Sequence, residues 1–276
     1  MNVELNKQAA ELPAEVPGNS EKFQLSGAAS ELIARMESVP FSRWHLKPRV
    51  VMGSATFFDA FDSLSLAFVL PVLIELWKLT PGQIGIIIGA GYLGQAVGAI
   101  FFGWLAERFG RLYSAKYTIF LMSVMCIACM FAGNFNTSLL YRFVQGIGIG
   151  GEVPVAAAYI NELSRAHGRG RFFMLYELIF PLGLMISAQV GSLVVPSLGW
   201  KWMFLIGGVG GILVFSLLFT LRESPRWLIS KGRLDEADRV IQEIEASTDQ
   251  RMPASMAAPQ AITKGRWNEL FSPFTA

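Results

Sequence analysis

Residues 84–106 read IGIIIGAGYLGQAVGAIFFGWLA, an unbroken run without one charged side chain. Wound as an α-helix at 1.5 Å per residue it is about 34 Å long, enough to cross a hydrocarbon core of about 30 Å with some tilt. Apolar residues occupy every face, so such a helix has no side suited to water. Five more stretches share this character. The expected spans are Arg49–Leu73, Ile84–Ala106, Tyr113–Ala132, Leu139–Ile160, Phe172–Val195 and Trp202–Leu221. The fold class is an all-α polytopic membrane protein with six transmembrane helices. Composition agrees: of 276 residues 53% are hydrophobic and only 16% charged, against roughly 25% charged in an average soluble domain. Mean hydropathy is +0.43. A net charge of +2 is too small to argue for nucleic acid as a partner; the bilayer is the partner that composition demands.

Charge distribution sets the orientation. Arg43, Lys47, Arg49, Arg108, Arg111, Lys116, Arg165, Arg169, Arg171, Arg222, Arg226, Lys231 and Arg233 gather on one side, and only Lys78 and Lys201 lie on the other. By the positive-inside rule both termini are then cytoplasmic, in a cell (plasma or inner) membrane. Residues 1–42 form a polar cytoplasmic tail without an apolar signal region, so the first span must direct insertion. Residues 43–221 form the bundle. From 222 to 276 the chain turns cytoplasmic again. Leu234, Ala237, Val240, Ile241 and Ile244 mark a short amphipathic helical segment ending near Ala246. Residues 247–265 are a linker, and Leu270–Ala276 resembles the run-in to a seventh span before which the chain is truncated.

Ionised groups at mid-membrane cost at least about 2.5–3.5 kcal/mol each, so those present need a reason. The first span holds Asp59 and Asp62, three residues apart on one helix face. Both cannot carry charge cheaply there, which suits a group that exchanges a proton; a structural pair or helix-kink cap is the alternative. The fourth span holds Arg142 and Glu152. A guanidinium cannot be neutralised, so Arg142 needs a carboxylate, with Asp62 the favoured candidate, or an anionic ligand. Glu152 is either a second titrating group or a structural one. Gln145 and Gln189 line a cavity or bridge helices. Gly85/Gly89, Gly94/Gly98 and Gly207/Gly211 have the spacing that permits close backbone contact. Cys126 and Cys129, one turn apart in an apolar run, read as small packing residues. Both histidines, His45 and His167, fall outside the expected spans, and no nucleophile–base or metal-ligand spacing points to an enzyme. Neither a cofactor nor a metal is expected.

Three motifs carry a family resemblance. Gly103–Arg111, GWLAERFGR, resembles the loop signature of the major facilitator superfamily, Gly-x-x-x-Asp-Arg-x-Gly-Arg-Arg, with Glu107 as its acid and Leu112 replacing its last base. The fourth span, Arg142-x-x-x-Gly146-x-Gly148-x-Gly150-Gly151-Glu152-x-Pro154, followed by Glu162 and Arg169, resembles the second signature of the sugar-porter branch. Arg222–Leu228, RESPRWL, is similar to that branch's Pro-Glu-Ser-Pro-Arg-x-Leu. The resemblance covers Arg43 to about Ala276, the first of two six-helix halves. It implies secondary transport of a small organic solute driven by a proton gradient, with either a missing second half or a second copy as partner. It also implies that Glu107, Arg108, Arg111, Glu162, Arg169, Glu223 and Arg226 form an intracellular gate. Asp62 matches the proton-coupling acid of proton-coupled sugar porters and Arg142 its partner. FDAFD, residues 58–62, resembles the Asp-Gly-Phe-Asp of aromatic-acid:proton symporters, which tilts the expectation toward organic acids. A non-transporting membrane protein that pairs with a full-length relative is the second expectation.

Overall fold

The computed structural model describes residues 17–164 and 169–248, with the side chains of 17–26, 169 and 171 outside that description. The described helices are α1 (Pro17–Ser38), α2 (Arg43–Trp77), α3 (Pro81–Phe109), α4 (Arg111–Met130), α5 (Phe135–Leu163), α6 (Arg169–Glu177), α7 (Ile179–Leu198), α8 (Lys201–Leu218), α9 (Pro225–Ser230) and α10 (Leu234–Ala246). Six stretches are long and apolar enough to cross a membrane: α2, α3, α4, α5, residues Phe172–Leu198 across α6 and α7, and α8. These are the six expected spans, and most run a few residues further. His45 therefore lies in the first turn of α2 and not in a loop, while His167 falls outside the described residues.

Local chemistry sets the ends. Thr80 caps α3 by accepting from Gln83 N at 3.3 Å, with Pro81 opening the helix. Asn134 caps α5 through Thr137 N at 2.9 Å. Gly110, at φ +126°, turns α3 directly into α4, a conformation glycine adopts without steric cost. The fifth span was expected as one helix and is two, broken at Leu178. Pro181 explains the break: it has no N–H for the carbonyl of Glu177, and its ring crowds that carbonyl.

Glycines decide how closely the helices approach. A Cβ on Gly94 or Gly98 of α3 would land on the backbone oxygens of Phe143 and Ile147. One on Gly146 or Gly150 of α5 would land on those of Gly91 and Gln95. The two helices thus touch backbone to backbone. α8 meets α4 closely too, but largely through side chains: a Cβ on Gly208 would meet the Ile127 side chain and the Ser123 carbonyl, and one on Gly211 the Ser123 side chain, while Gly207 faces Cys126 and Phe61. Gly85 and Gly89 do not follow this pattern: nothing lies within 4 Å of a Cβ at either, so they make no helix–helix contact here. Outside the packed seam, α3 leaves Tyr92, Leu93 and Ile100 exposed and α7 leaves Leu182, Met185 and Leu193 exposed. Such a continuous apolar exterior needs lipid or another helical unit against it.

At the basic end a second unit forms. Ala29, Leu32, Met36 and Val39 of α1 and its exit recur at helical spacing and bury against Trp227, Leu228, Ile229, Ala237, Val240, Ile241 and Ile244 of α9 and α10. Residues 1–42 were expected to be only a polar tail; their second half is instead joined to the segment after the last span. α10 matches the expected amphipathic segment. The expected linker beyond Thr248 and the run-in at Leu270–Ala276 lie outside the described residues.

Candidate functional site

α2 and α5 carry the buried charges, and α4 closes the space between them. Asp59 and Asp62 are each 2% exposed and Arg142 is 7% exposed. Arg142 Nη1 reaches Asp62 Oδ2 at 3.5 Å, a long contact, and donates a much shorter bond of 2.8 Å to Gln145 Oε1. The cysteines join this group. Cys126 Sγ donates to Asp62 Oδ1 at 3.1 Å and lies 3.2 Å from the Phe204 carbonyl; Cys129 Sγ donates to Gln145 Oε1 at 3.6 Å. The sequence reading of both thiols as mere packing is thus incomplete. A thiol is small enough for the apolar seam of α4, yet its S–H can still serve a carboxylate.

Asp59 parts company with Asp62. Its electrostatic neighbours are Glu152 first and Asp62 second. Glu152 accepts from Thr56 Oγ1 at 3.0 Å, and Thr56 also touches Tyr176 of α6 through the two hydroxyls. The interior therefore holds two polar groups, one built on Asp62–Arg142–Gln145 and one on Thr56, Glu152 and Tyr176, with Asp59 buried on α2 between Thr56 and Asp62. Gln189 belongs to neither, because it is exposed. Ser187 of α7 does bond to α2, fully buried and donating to the Phe61 carbonyl at 2.9 Å. Two residues along a helix is a rotation of about 200°, which puts Ser187 and Gln189 on opposite faces. Ser187 and Thr56 were missed from sequence because hydroxyls in spans so often bond their own backbone.

Several buried atoms in these groups have no hydrogen-bond partner among the described residues: Asp59 Oδ1, Glu152 Oε2, Arg142 Nε and Gln145 Nε2. Buried polar groups are overwhelmingly satisfied in folded proteins, so such a cluster marks a place where water, a proton or a ligand belongs. Chemically the pair can do two things. Asp62 can exchange a proton with whatever reaches it, and Arg142 can exchange one carboxylate for another.

The basic end carries the expected charge network only in part. Arg111 Nε pairs with Glu162 Oε1 at 2.9 Å. Glu223 accepts from Leu112 N at 3.0 Å and Ser224 N at 2.9 Å. Any side chain at Gly110 would collide with its carboxylate. Burial raises the pKa of Glu223, backbone hydrogen bonds oppose the rise, and the charge of Glu162 adds to it. Arg226 donates to the Glu162 carbonyl at 3.1 Å and pairs with Glu37 just after the buried face of α1. Glu107 and Arg108 are exposed and join no ion pair among the described residues. Arg108 instead lies over the Trp104 and Phe109 rings, at 5.6 and 5.8 Å, and Glu107 contributes only its carbonyl, to Trp227 Nε1 at 3.0 Å. Cation–π contact gives the Arg108 guanidinium a favourable partner at this helix end. The Arg169 side chain lies outside the described residues.

A bundle of six apolar spans, joined at its basic end by charged loops and enclosing buried ion-pair and acid groups, defines the class of multi-pass membrane proteins. The chain belongs to the major facilitator superfamily, in its sugar-porter-like branch: the family model described as "Sugar (and other) transporter" matches residues 35–275. It is 40% identical over 215 residues to the niacin transporter NiaP of Acinetobacter baylyi, covering 78% of this chain and 49% of that protein. It is 27% identical over 268 residues to the 4-hydroxybenzoate transporter PcaK of the same organism, covering 95% of this chain and 58% of that protein. The proton:xylose symporter XylE shares the fold, with a TM-score of 0.66 at 22% identity over 75% of this chain and 53% of that one. The chain thus spans about half the length of the relatives it matches.

Proposed function

We propose that this chain is the first six-helix half of a secondary transporter that moves a small organic solute, an organic or aromatic acid in preference to a sugar, in symport with protons. The observation that carries the reading is the loose Asp62–Arg142 contact. An acid and a base are buried together in the bundle, with bonding positions still open around them. Asp62 takes and releases the proton, Arg142 links that event to the solute, and Asp59 with Glu152 forms a second acidic group on the same path. The names of the relatives support an organic acid, since niacin and 4-hydroxybenzoate are both carboxylic acids.

The basic end faces the cytoplasm, and the bundle sits in the cell membrane. Ion pairs such as Arg111–Glu162 hold that end closed in one state and separate in the other, which is how such contacts bias a two-state equilibrium. A second six-helix half, or a second copy, supplies the opposite wall of the cavity. The test is uptake into proteoliposomes by the protein joined to its second half, with and without an imposed proton gradient. Gradient-driven accumulation that Asp62→Asn abolishes is the expected result; accumulation unchanged by that substitution overturns the assignment.

One observation favours a second reading. α3 and α7 leave broad apolar faces open, which suits a non-transporting chain that pairs with a full-length relative. Stable insertion of the chain alone with no flux, together with altered flux by a co-reconstituted relative, would favour it.

A further inference from the structure

On the exterior of the bundle, away from the buried acids, α4 carries a strip that mixes charge with aromatic rings. Lys116, Phe120, Tyr113 and Tyr117 fall within about 100° of helix arc and so lie side by side. Tyr113, Tyr117 and Phe120 are exposed, and Lys116 is half-buried. The strip continues onto the end of α8, where Phe120 meets Phe215 at 5.2 Å between ring centres and Phe215 meets Phe219 at 5.1 Å. Lys116 Nζ lies 4.4 Å from the centre of the Phe219 ring and joins no ion pair or hydrogen bond among the described residues. Lys47, at the same end of the bundle, differs: its Nζ donates to the Thr220 carbonyl at 3.0 Å. A ring attracts the ammonium of Lys116 without neutralising it. The tyrosines also hold something back. Their hydroxyls are 3.1 Å apart, and one bond between two hydroxyls uses one of their two hydrogens. The other hydrogen has no acceptor among the described residues.

We propose that this strip binds an anionic phospholipid, with Lys116 and the spare tyrosine hydrogen donating to its phosphate and Phe120, Phe215 and Phe219 lying against its acyl chains. The proposal needs the six spans to lie in a bilayer and does not depend on transport. Depth supports it. α4 begins at Arg111, so Lys116 and Tyr117 stand about 8–9 Å inside its basic end. Tyrosine rings sit at headgroup level at such a depth, and a lysine stem can run along apolar surface to bring its charge there. Charge decides which lipid. Every phospholipid offers a phosphate, but a zwitterionic headgroup also carries a cation that Lys116 repels. An anionic headgroup supplies the counter-charge that Lys116 finds nowhere else among the described residues.

The test is native mass spectrometry of the purified full chain, released from detergent micelles that hold equal amounts of phosphatidylglycerol and phosphatidylcholine. Wild type should retain phosphatidylglycerol about fivefold over phosphatidylcholine, the ratio expected of one lysine at a charged surface. Lys116→Gln should bring that ratio close to one, and Lys116→Arg, which keeps the charge, should preserve it. Replacing both tyrosines, Tyr113→Phe with Tyr117→Phe, should lower retention of both lipids, because both carry the phosphate. Lys231 is the control: it lies 5.9 Å from the Trp227 ring but outside the spans, and Lys231→Gln should leave the ratio unchanged. Equal retention of the two lipids by wild type, or equal effects of the two lysine-to-glutamine variants, would overturn the proposal. So would displacement of bound phosphatidylglycerol by millimolar inorganic phosphate, which would make the ligand a free anion. A change from dimer to monomer in Lys116→Gln with no change in lipid ratio would assign the strip to a second copy of the chain and overturn it equally.

Discussion

Two arginines in this chain sit in opposite circumstances. Arg35, on α1, is bonded from three nitrogens: Nε and Nη2 grip Glu245 at 2.9 and 2.7 Å, and Nη1 meets Asp238 at 2.7 Å. The Glu245 hydrogen bond, with smaller help from Asp238, holds its pKa above the ordinary range. Arg142, inside the bundle, has one short bond to a neutral amide, one long contact to an acid and an unpartnered Nε. The first is a finished joint between α1 and α10. The second is costlier to bury and less completely paired, the reverse of what stability alone would select. Incomplete pairing where charge is most expensive separates the candidate site from the scaffold.

The sharpest way to break this contrast is to remove one member of the interior pair. Asp62→Ala leaves a guanidinium that cannot be neutralised, and a loss of about 3–5 kcal/mol is expected. Arg142→Met should cost less, because a carboxylate left alone can escape its penalty by taking up a proton. Thermal unfolding of both variants in detergent checks the order. Equal losses would mean that Asp62 does not compensate Arg142.

Next in size is the joint at the basic end. Leu32 is buried against α9 and α10. Leu32→Ala should cost about 2–5 kcal/mol by the usual scale for such truncations. The loss should fall on α1 alone, seen as faster amide exchange over 27–38 while the spans keep their protection. Arg35→Ala belongs to the same experiment and should loosen the same residues.

A smaller effect separates two glycine pairs of one helix. Gly98→Ala drives a Cβ into the backbone of α5 and should cost about 1–3 kcal/mol, the range for overpacking. Gly85→Ala, which meets nothing within 4 Å, should be neutral or mildly stabilising through its better helix propensity. Paired melting curves decide it. A Gly98→Ala variant as stable as wild type would mean that the α3–α5 seam is looser than described.

Much of this was legible in the sequence, and where it was not the reason is physical. The spans could be read because apolar length is a one-dimensional signal, and the Asp62–Arg142 pairing because a buried guanidinium leaves few options. What sequence spacing could not show is which neighbour each acid faces. Asp59 and Asp62 share a helix face, yet only Asp62 reaches Arg142, while Asp59 Oδ1 has no hydrogen-bond partner among the described residues, a difference made by how α5 lies across α2. The roles of Cys126 and Cys129 stayed hidden because a thiol in an apolar run looks the same whether or not a carboxylate stands opposite. Gln189 is exposed on the face of α7 opposite Ser187, a matter of helix phase that residue type alone does not give. α1 could have been found: Ala29, Leu32, Met36 and Val39 have helical spacing, but the polar residues between them drew attention to a tail. The gate residues Glu107 and Arg108 matched a motif by identity, and only the packing shows that neither joins an ion pair among the described residues.

The smallest effect expected is a slope with pH at the basic end. Glu223 is buried against the α3–α4 turn, and its pKa is raised chiefly by that burial, against the pull of the Ser224 and Leu112 N–H groups and with the Glu162 charge adding to the rise. An acid that holds its proton more tightly folded than unfolded favours folding while protonated. Its contribution is full below the ordinary carboxylate range and is lost as pH rises through its own raised value. The ionised carboxylate still accepts from Leu112 and Ser224, so what disappears is a margin and not the joint. Glu223→Gln keeps the shape and one acceptor oxygen but cannot titrate. The difference in melting temperature between wild type and Glu223→Gln should therefore shift in favour of the glutamine variant as pH rises across this window, and stay constant outside it. Arg35 titrates far above the window, so the α1 joint should show no matching slope. A slope of opposite sign at Glu223 would mean that its backbone donors outweigh its burial, making the α3–α4 turn an anchor for the charged carboxylate.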